Sequence, residues 1–441
     1  MSRSALVVGF GASGEAVAGR LRQLGFDVVA CDDAGGDEMR RRATAAGVAL
    51  EERPERARLA ELVTAAELVV PSPGVPAHHS VFALVAETGT LVESELGLAA
   101  DAIDVPLVAI TGTNGKTTVT TLVAEMLVAS GVRAIAAGNI GNPLTTAVGQ
   151  PVDVVVAEVS SFQLQLAPRF RPNVGVWLNL APDHLDWHGS DESYAAAKFR
   201  VWENQGADGV AVANADDPGV EWWASKAPGR VVRYGVDEPA EYSVAGGQLV
   251  GPDGETIAAV EELWRALPHD LANSLAASAA ALAGGASLDG VRAALRAFRG
   301  LPHRLALVGD ADGVRWYDDS KATNPHAAAA AIRSFESVVL IAGGQNKGLD
   351  LSALAESAAR VRGVVAIGAA GDQVRDAFQG RTAVVAAVSM DAAVEAAGGM
   401  ARPGDAVLLS PGCASFDWYG SYAERGDDFT RAVADRLGRT K

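Results

Sequence analysis

Residues 110–118 read Ile110-Thr111-Gly112-Thr113-Asn114-Gly115-Lys116-Thr117-Thr118, directly after the apolar run Leu107–Ile110 and directly before a helical stretch. Residue types in that order can cradle a phosphate. Glycines let backbone N–H groups converge on oxygens, the helix N-terminus adds positive potential, and Lys116 adds a charge. The Thr117 hydroxyl is a suitable Mg²⁺ ligand beside a nucleotide. The spacing is tighter than GxxxxGK, because the position six before the lysine is Ile110 and the glycine falls at Gly112. A Gly-rich turn at a helix start is the plainer reading, but strand, Gly-x-x-Gly-Lys-Thr and helix in succession favour the phosphate.

Further residues could join this chemistry. Asp153–Gln163 runs an apolar strand into Glu158 and then Val159-Ser160-Ser161-Phe162-Gln163. Ligands in open α/β sheets bind at the carboxyl ends of strands, so Glu158 could hold Mg²⁺; by itself it could equally cap a helix. His184 and His188 are four apart, but the Glu of HExxH is missing and Gly189 follows, which argues against zinc. Lys198, in Tyr194-Ala195-Ala196-Ala197-Lys198-Phe199-Arg200, reads on its own as a surface lysine. Near the start, Gly9-Phe10-Gly11-Ala12-Ser13-Gly14 is a full GxGxxG after a strand, and Asp32 follows 18 residues beyond Gly14. Taken alone, that pattern binds a dinucleotide: glycines admit the pyrophosphate and the acid meets a ribose hydroxyl.

The elements that must position these residues alternate strand with helix, which predicts parallel sheets covered by helices. Strands are predicted at Ala5–Val8, Val28–Ala30, Leu68–Val70, Leu107–Ile110, Val154–Ala157 and Val174–Leu178. Helices are predicted over Glu15–Leu24, Thr117–Ala129 and much of 270–300. Strand, loop and helix then recur from Val338–Ala342, Gly363–Ile367, Thr382–Ala387 and Ala406–Leu409, while 235–255 reads as a turn-rich excursion. At about 150 residues per domain, 441 residues suggest three. The expected boundaries are 1–94, 95–300 and 301–441, in an α/β chain with a Rossmann-like first domain, a P-loop ATPase-like centre and a Rossmann-like third domain.

Composition narrows the partners. Lys+Arg total 37 against 54 Asp+Glu, a formal charge of −17, which disfavours nucleic acid but not a small anion held by local amides. Two cysteines, Cys31 and Cys413, exclude a disulfide framework and a thiolate zinc site. No apolar run reaches the ~18 residues of a membrane span, and the strand beginning at Ala5 leaves no room for a secretory leader. A cytoplasmic protein is expected.

The Thr111–Thr118 loop resembles the ATP loop of the Mur ligases and their folylpolyglutamate synthetase relatives, and the similarity extends over essentially the whole chain in order. Asn179-Leu180-Ala181-Pro182-Asp183-His184-Leu185-Asp186 resembles the family segment whose histidine joins the second metal site, and Ala197-Lys198-Phe199-Arg200 the segment whose lysine is carbamylated. The resemblance therefore implies catalytic roles for Lys116, Glu158, His184 and Lys198, with Thr117, Glu158, His184 and carbamylated Lys198 around two Mg²⁺ ions. It implies ATP binding by Gly112, Thr113, Asn114, Gly115, Lys116, Thr117 and Thr118, joined by Asn273, Arg304, Asp319 and Lys321. The GxGxxG domain is redirected from a dinucleotide to the UDP of a nucleotide-sugar through Ser13, Asp32, Asp33, Ser72 and Gly74. Asn139 in Gly138-Asn139-Ile140-Gly141, with Ser160, Gln163 and His184, would contact the same substrate.

In the third domain, Leu301–Arg304 and Asp318–Asn324 resemble the junction that meets ATP when the family's domains close. Leu409–Asp417 with Arg425–Phe429 resembles the form of the family that adds D-glutamate, bound here by Thr323, Lys347, Ser415 and Tyr422. The implied reaction is ATP-dependent addition of D-glutamate to the L-alanine carboxylate of UDP-N-acetylmuramoyl-L-alanine through an acyl phosphate, by a monomeric peptidoglycan-precursor enzyme. Tyr422 stands where phenylalanine is frequent, Asp270 where relatives carry asparagine, and Gly412 where alanine is commoner. Cys413 reads as a small buried residue, since no adjacent group activates it. Another amino-acid-adding Mur ligase or a folylpolyglutamate synthetase, and a dinucleotide-dependent oxidoreductase with an NTP-binding module, are the alternative readings.

Overall fold

The computed structural model describes residues 3–438, apart from the side chain of Asp186. The chain divides into two compact units. One holds most of the chain up to Phe298; the other holds the chain from Arg299 onward together with the short segments Ala181–Asp186 and Leu267–His269.

The first unit contains three sheets. The first has the order Ala49–Glu52, Phe26–Asp32, Arg3–Val8, Leu68–Pro71, Leu91–Val92, all parallel. Its central strand is apolar from Ala5 to Val8, where both faces are buried. Ala5 and Val7 pack into one core cluster, Leu6 and Val8 into the other. Sheet order reverses between Arg3–Val8 and Leu68–Pro71, and the loop at such a reversal is where α/β sheets open a ligand crevice.

The second sheet runs Arg230–Tyr234, Val210–Asn214, Val174–Trp177, Leu107–Thr111, Val154–Glu158, Ala134–Gly138, again all parallel. Ile110 is in register with Glu158, so the strand feeding the Gly-rich loop and the strand ending in the carboxylate finish at one level. The Gly-rich loop leads into helix Lys116–Ala129. Helix Asp191–Glu203 starts at Ser190, whose hydroxyl accepts from the Ser193 N–H, and buries Tyr194, Lys198 and Trp202. Trp202 donates its indole N–H to the Gly175 carbonyl at 2.9 Å and lies 5.4 Å from the Trp177 ring. A Cβ on Gly175 would fall 2.5 Å from the Val201 carbonyl oxygen, so only glycine lets the helix pack this closely.

The turn-rich excursion proves to be a three-stranded antiparallel sheet, Ser243–Ala245, Gln248–Val250 and Thr256–Ala259, turning at Gly246 and Gly247. The helical region after it is two helices, Pro268–Ala283 and Leu288–Ala297. In the second unit the four anticipated strands form the parallel core of a six-stranded sheet. Its edge is an antiparallel hairpin, Ala306–Ala311 with Val314–Asp318, which the expectation of purely parallel sheets omitted. Among the described residues no helix is long and apolar enough to cross a membrane.

Replacing the fully buried Trp202 by alanine should lower stability by about 3–5 kcal/mol, whereas Leu91→Ala, at a residue 71% exposed, should change it by no more than about 0.5 kcal/mol. Urea melts followed by circular dichroism separate the two; equal losses would mean that the Trp177–Trp202 contact does not organise this sheet.

Candidate active site

The Gly-rich loop holds its shape through backbone conformation and one asparagine. Gly112 and Gly115 have φ of +156° and +85°, and a Cβ on Gly115 would meet the Asn273 side-chain oxygen at 2.7 Å. Asn273 therefore lies directly against the loop. Asn179 braces the other side. Its Oδ1 accepts from the Asn114 N–H at 2.8 Å, its Nδ2 donates to the Asn114 carbonyl at 3.1 Å, and its own carbonyl accepts from the Thr113 N–H at 3.1 Å. The Tyr194 hydroxyl is 3.2 Å from the Thr113 hydroxyl. Lys116 folds back over the loop, Nζ donating to the carbonyls of Gly112 at 2.8 Å and Thr113 at 3.0 Å.

Lys198 departs from its plain sequence reading as a surface residue. It is 1% exposed, donates to the same Gly112 carbonyl at 3.0 Å, and lies 4.5 Å over the Tyr194 ring. One helix face explains this: Tyr194 and Lys198 are four apart on Asp191–Glu203, so both meet the loop. Two ammonium groups thus converge on one carbonyl oxygen.

Glu158 is 3% exposed. One carboxylate oxygen accepts from Asn139 Nδ2 at 2.8 Å; the other is buried with no hydrogen-bond partner. An unpaired buried carboxylate oxygen is costly and calls for a cation. Oxygen donors of Glu and Thr type suit Mg²⁺, so Glu158 and Thr117 fit that ion. Among the described residues no three His, Cys, Asp or Glu side chains gather into a metal cage. Ser160 and Gln163 form a capping box: the Gln163 side-chain oxygen accepts from the Ser160 N–H at 3.0 Å, and the Ser160 hydroxyl accepts from the Gln163 N–H at 3.3 Å.

At the crevice of the first sheet, Ser13, Asp32, Asp33, Ser72 and Gly74 line one cavity of about 400 Å³ with Gly9 and Gly11. Asp32 shapes it, accepting from the backbone N–H groups of Phe10 at 2.6 Å and Ala34 at 2.8 Å. The Ser72 hydroxyl donates to the Gly9 carbonyl at 2.7 Å. A Cβ on Gly14 would sit 2.0 Å from that carbonyl oxygen, which is why the third glycine of the motif cannot be replaced. Asn139, by contrast, lies beside Glu158 and not in this cavity's wall.

The second unit holds His184, Arg304, Asp319, Lys321, Thr323, Lys347, Ser415 and Tyr422. His184 adopts a positive φ of +54°, its N–H donating to Asp183 Oδ1 at 2.9 Å; Asp183 Oδ2 accepts from Asn324 Nδ2 at 3.0 Å. Asp319 accepts from the Ser410 hydroxyl at 2.7 Å, and Lys321 Nζ stands 3.7 Å over the Tyr422 ring. Arg425, 1% exposed, ties these segments together, donating to the Ser320 hydroxyl at 2.9 Å, the Ser320 carbonyl at 2.8 Å and the carbonyls of Cys413 and Ala414 at 3.1 and 3.2 Å. Burial lowers its guanidinium to about 10. The Cys413 thiol, also buried, is pushed up to about 12 despite the nearby charges of Arg425 and Lys347, which suits a packing residue and not a nucleophile. Lys347 itself is exposed.

Asp270 shows how its departure is accommodated: it is 2% exposed and forms a two-pronged pair with Arg265 at 2.5 and 2.8 Å. The bracing roles of Asn179, Tyr194 and Arg425 escaped sequence reading, since each acts through a contact distant in the chain.

Residues 110–281 match the Mur ligase middle domain, and 303–413 the Mur ligase glutamate ligase domain. The chain is 42% identical to the UDP-N-acetylmuramoylalanine–D-glutamate ligase of Desulfosudis oleivorans, over 98% of this chain and 96% of that one. It is 43% identical to the enzyme of the same name from Frankia casuarinae, over 98% and 94%. The fold resembles the MurF ligase of Thermotoga maritima in complex with ADP, with a TM-score of 0.61, 16% identity and coverage of 93% and 95%.

Asn179→Ala should weaken binding of a fluorescent ATP analogue by about 10-fold, the usual cost of removing a supporting shell, while the melting temperature stays near that of the unaltered protein. Unchanged nucleotide affinity would remove Asn179 from the loop's support.

Proposed function

The chain belongs to the Mur ligase family, and from that premise we propose that it joins D-glutamate to the L-alanine carboxylate of UDP-N-acetylmuramoyl-L-alanine, converting ATP to ADP and phosphate. The observation that carries the reading is the pairing of the phosphate-type loop with Glu158, whose buried free oxygen ends the adjacent strand. Identity of 42% and 43% over 98% of the chain to enzymes named D-glutamate ligases supports the choice of amino acid, and it counts against the dinucleotide oxidoreductase suggested by GxGxxG alone.

In this reading residues 1–94 hold the nucleotide-sugar through the 400 Å³ cavity, 95–300 hold ATP, and 301–441 hold D-glutamate, in a cytoplasmic monomer. A carboxylate oxygen of the L-alanine attacks the γ-phosphorus, the bond to the β-bridging oxygen breaks, and ADP leaves. The amine of D-glutamate then attacks the acyl carbon; phosphate leaves and the nitrogen loses a proton. Lys116 and the amides at the start of helix Lys116–Ala129 meet the charge on the transferring group, so rate enhancement comes mainly from positioning and electrostatics. Mg²⁺, held by Thr117, Glu158, His184 and Lys198, would supply further charge neutralisation. Asn273, Arg304, Asp319 and Lys321 complete the ATP site, Asn139, Ser160 and Gln163 the sugar side. Thr323, Lys347, Ser415 and Tyr422 orient D-glutamate, whose two carboxylates need a cation.

Carbamylation of Lys198 agrees with the crowding at Gly112. Two cations donating to one carbonyl repel each other; a carbamate reverses that sign and offers oxygens to a hard metal.

Phosphate release should require ATP, the nucleotide-sugar and D-glutamate together, and a panel of D- and L-amino acids should single out D-glutamate; release without an amino acid would contradict the ligase reading. Lys347→Ala should raise KM for D-glutamate at least about 10-fold with little change for ATP, and equal effects would move Lys347 out of the glutamate site. Lys198→Ala should lose most activity and regain part of it with added short carboxylates; full activity without them would sink the carbamate.

A further inference from the structure

Gly138–Pro143, the loop carrying Asn139, rests on Glu158. The Asn139 N–H donates to the Glu158 carbonyl and its Nδ2 to the Glu158 carboxylate, both at 2.8 Å. Gly138, at φ +101°, would place a Cβ 2.4 Å from the same carbonyl oxygen, so the loop's first residues are pressed onto Glu158. Its far end continues into the 3₁₀ turn Leu144–Ala147. That turn has no side-chain cap of its own, because the capping position is Pro143.

The missing cap comes from elsewhere. Glu95 opens helix Glu95–Ala100, in the segment between the first and second sheets, and is 1% exposed. Its Oε1 accepts from the Thr145 N–H at 2.6 Å, across 50 residues of sequence. Burial raises this carboxyl, and the Thr145 N–H offsets the rise only in part. The side chain also borders a small cavity lined by Ser72, Pro73, Phe162, Gln163 and Trp187, where residues of the first-sheet crevice meet residues that follow Glu158. Nothing in the reaction itself uses Glu95.

We propose that Glu95 is a positioning residue for the nucleotide-sugar: by capping the Leu144–Ala147 turn it fixes the 138–143 loop and so holds Asn139 against Glu158. The inference rests on the ligase reading for its substrate. An amide oxygen at this position still accepts the Thr145 N–H, a shorter carboxylate falls back from it, and alanine abolishes it.

The test uses the full-length protein with Glu95→Ala, Glu95→Asp and Glu95→Gln. Glu95→Ala and Glu95→Asp should raise KM for UDP-N-acetylmuramoyl-L-alanine by about 10-fold or more, with KM for ATP within about 2-fold and Glu95→Gln close to the unaltered protein. A uniform rise in every KM, or reduced kcat alone in step with a lower melting temperature, would assign Glu95 to general stability and overturn the proposal. Should Glu95→Ala not fold, the Asp and Gln variants decide: equal sugar KM values contradict it. Hydrogen exchange over 138–147 gives a readout independent of turnover, so it separates this proposal from the ligase reading. Faster exchange there in Glu95→Asp is expected; unchanged exchange overturns the cap even if the substrate proves different.

Discussion

A chain with a formal charge of −17 has to hold substrates that are themselves anions. ATP, a UDP-sugar and D-glutamate all carry negative charge, and a diffuse acidic surface repels each of them. Positive potential must therefore be made locally. In the proposed reading it comes mostly from backbone: amides at the start of helix Lys116–Ala129, where Gly112 and Gly115 take positive φ, and a second glycine loop at the reversal of the first sheet. Full charges are few and individually placed, such as Lys116 on the Gly112 carbonyl and Lys321 over Tyr422.

Backbone devices work only if their shape is enforced, and several buried polar contacts serve that end. Asn179 reads the backbone of Asn114 as a strand neighbour would, and Tyr194 reaches Thr113 from a helix eighty residues on. Arg425 does comparable work in the second unit, where a buried guanidinium satisfied by carbonyls and a hydroxyl ties Ser320 to the Cys413–Ala414 loop. Removing a buried charge of this kind leaves several carbonyls unpaired, so such residues fix geometry at a high energetic stake.

Much of this was legible in the sequence because the signals are local. A Gly-rich loop between strand and helix, GxGxxG followed by Asp32, and apolar three- to six-residue runs each declare themselves within a short window. The strands and helices anticipated around both loops are present, and Ser13, Asp32, Asp33, Ser72 and Gly74, five of the nine residues assigned to the nucleotide-sugar, line one cavity. Signals that depend on distant contacts were not legible. Lys198 reads as a surface lysine until the helix face opposite Gly112 is known, and Glu95 looks like a first-turn acid until Thr145 is seen against it. The antiparallel edge hairpin is a different case. Asp312-Gly313 between Ala311 and Val314 is a hairpin turn signal, and both residues adopt positive φ, but the prevailing strand–helix alternation masked it.

Transfer of the γ-phosphoryl group from ATP at the phosphate loop to a substrate carboxylate can be followed with an oxygen label. With both carboxylate oxygens of the L-alanine in UDP-N-acetylmuramoyl-L-alanine labelled with the heavy isotope, mass spectrometry of the released phosphate should find one labelled oxygen per amide formed. Phosphate released without label, while amide accumulates, would contradict an acyl phosphate and with it the role assigned to the loop.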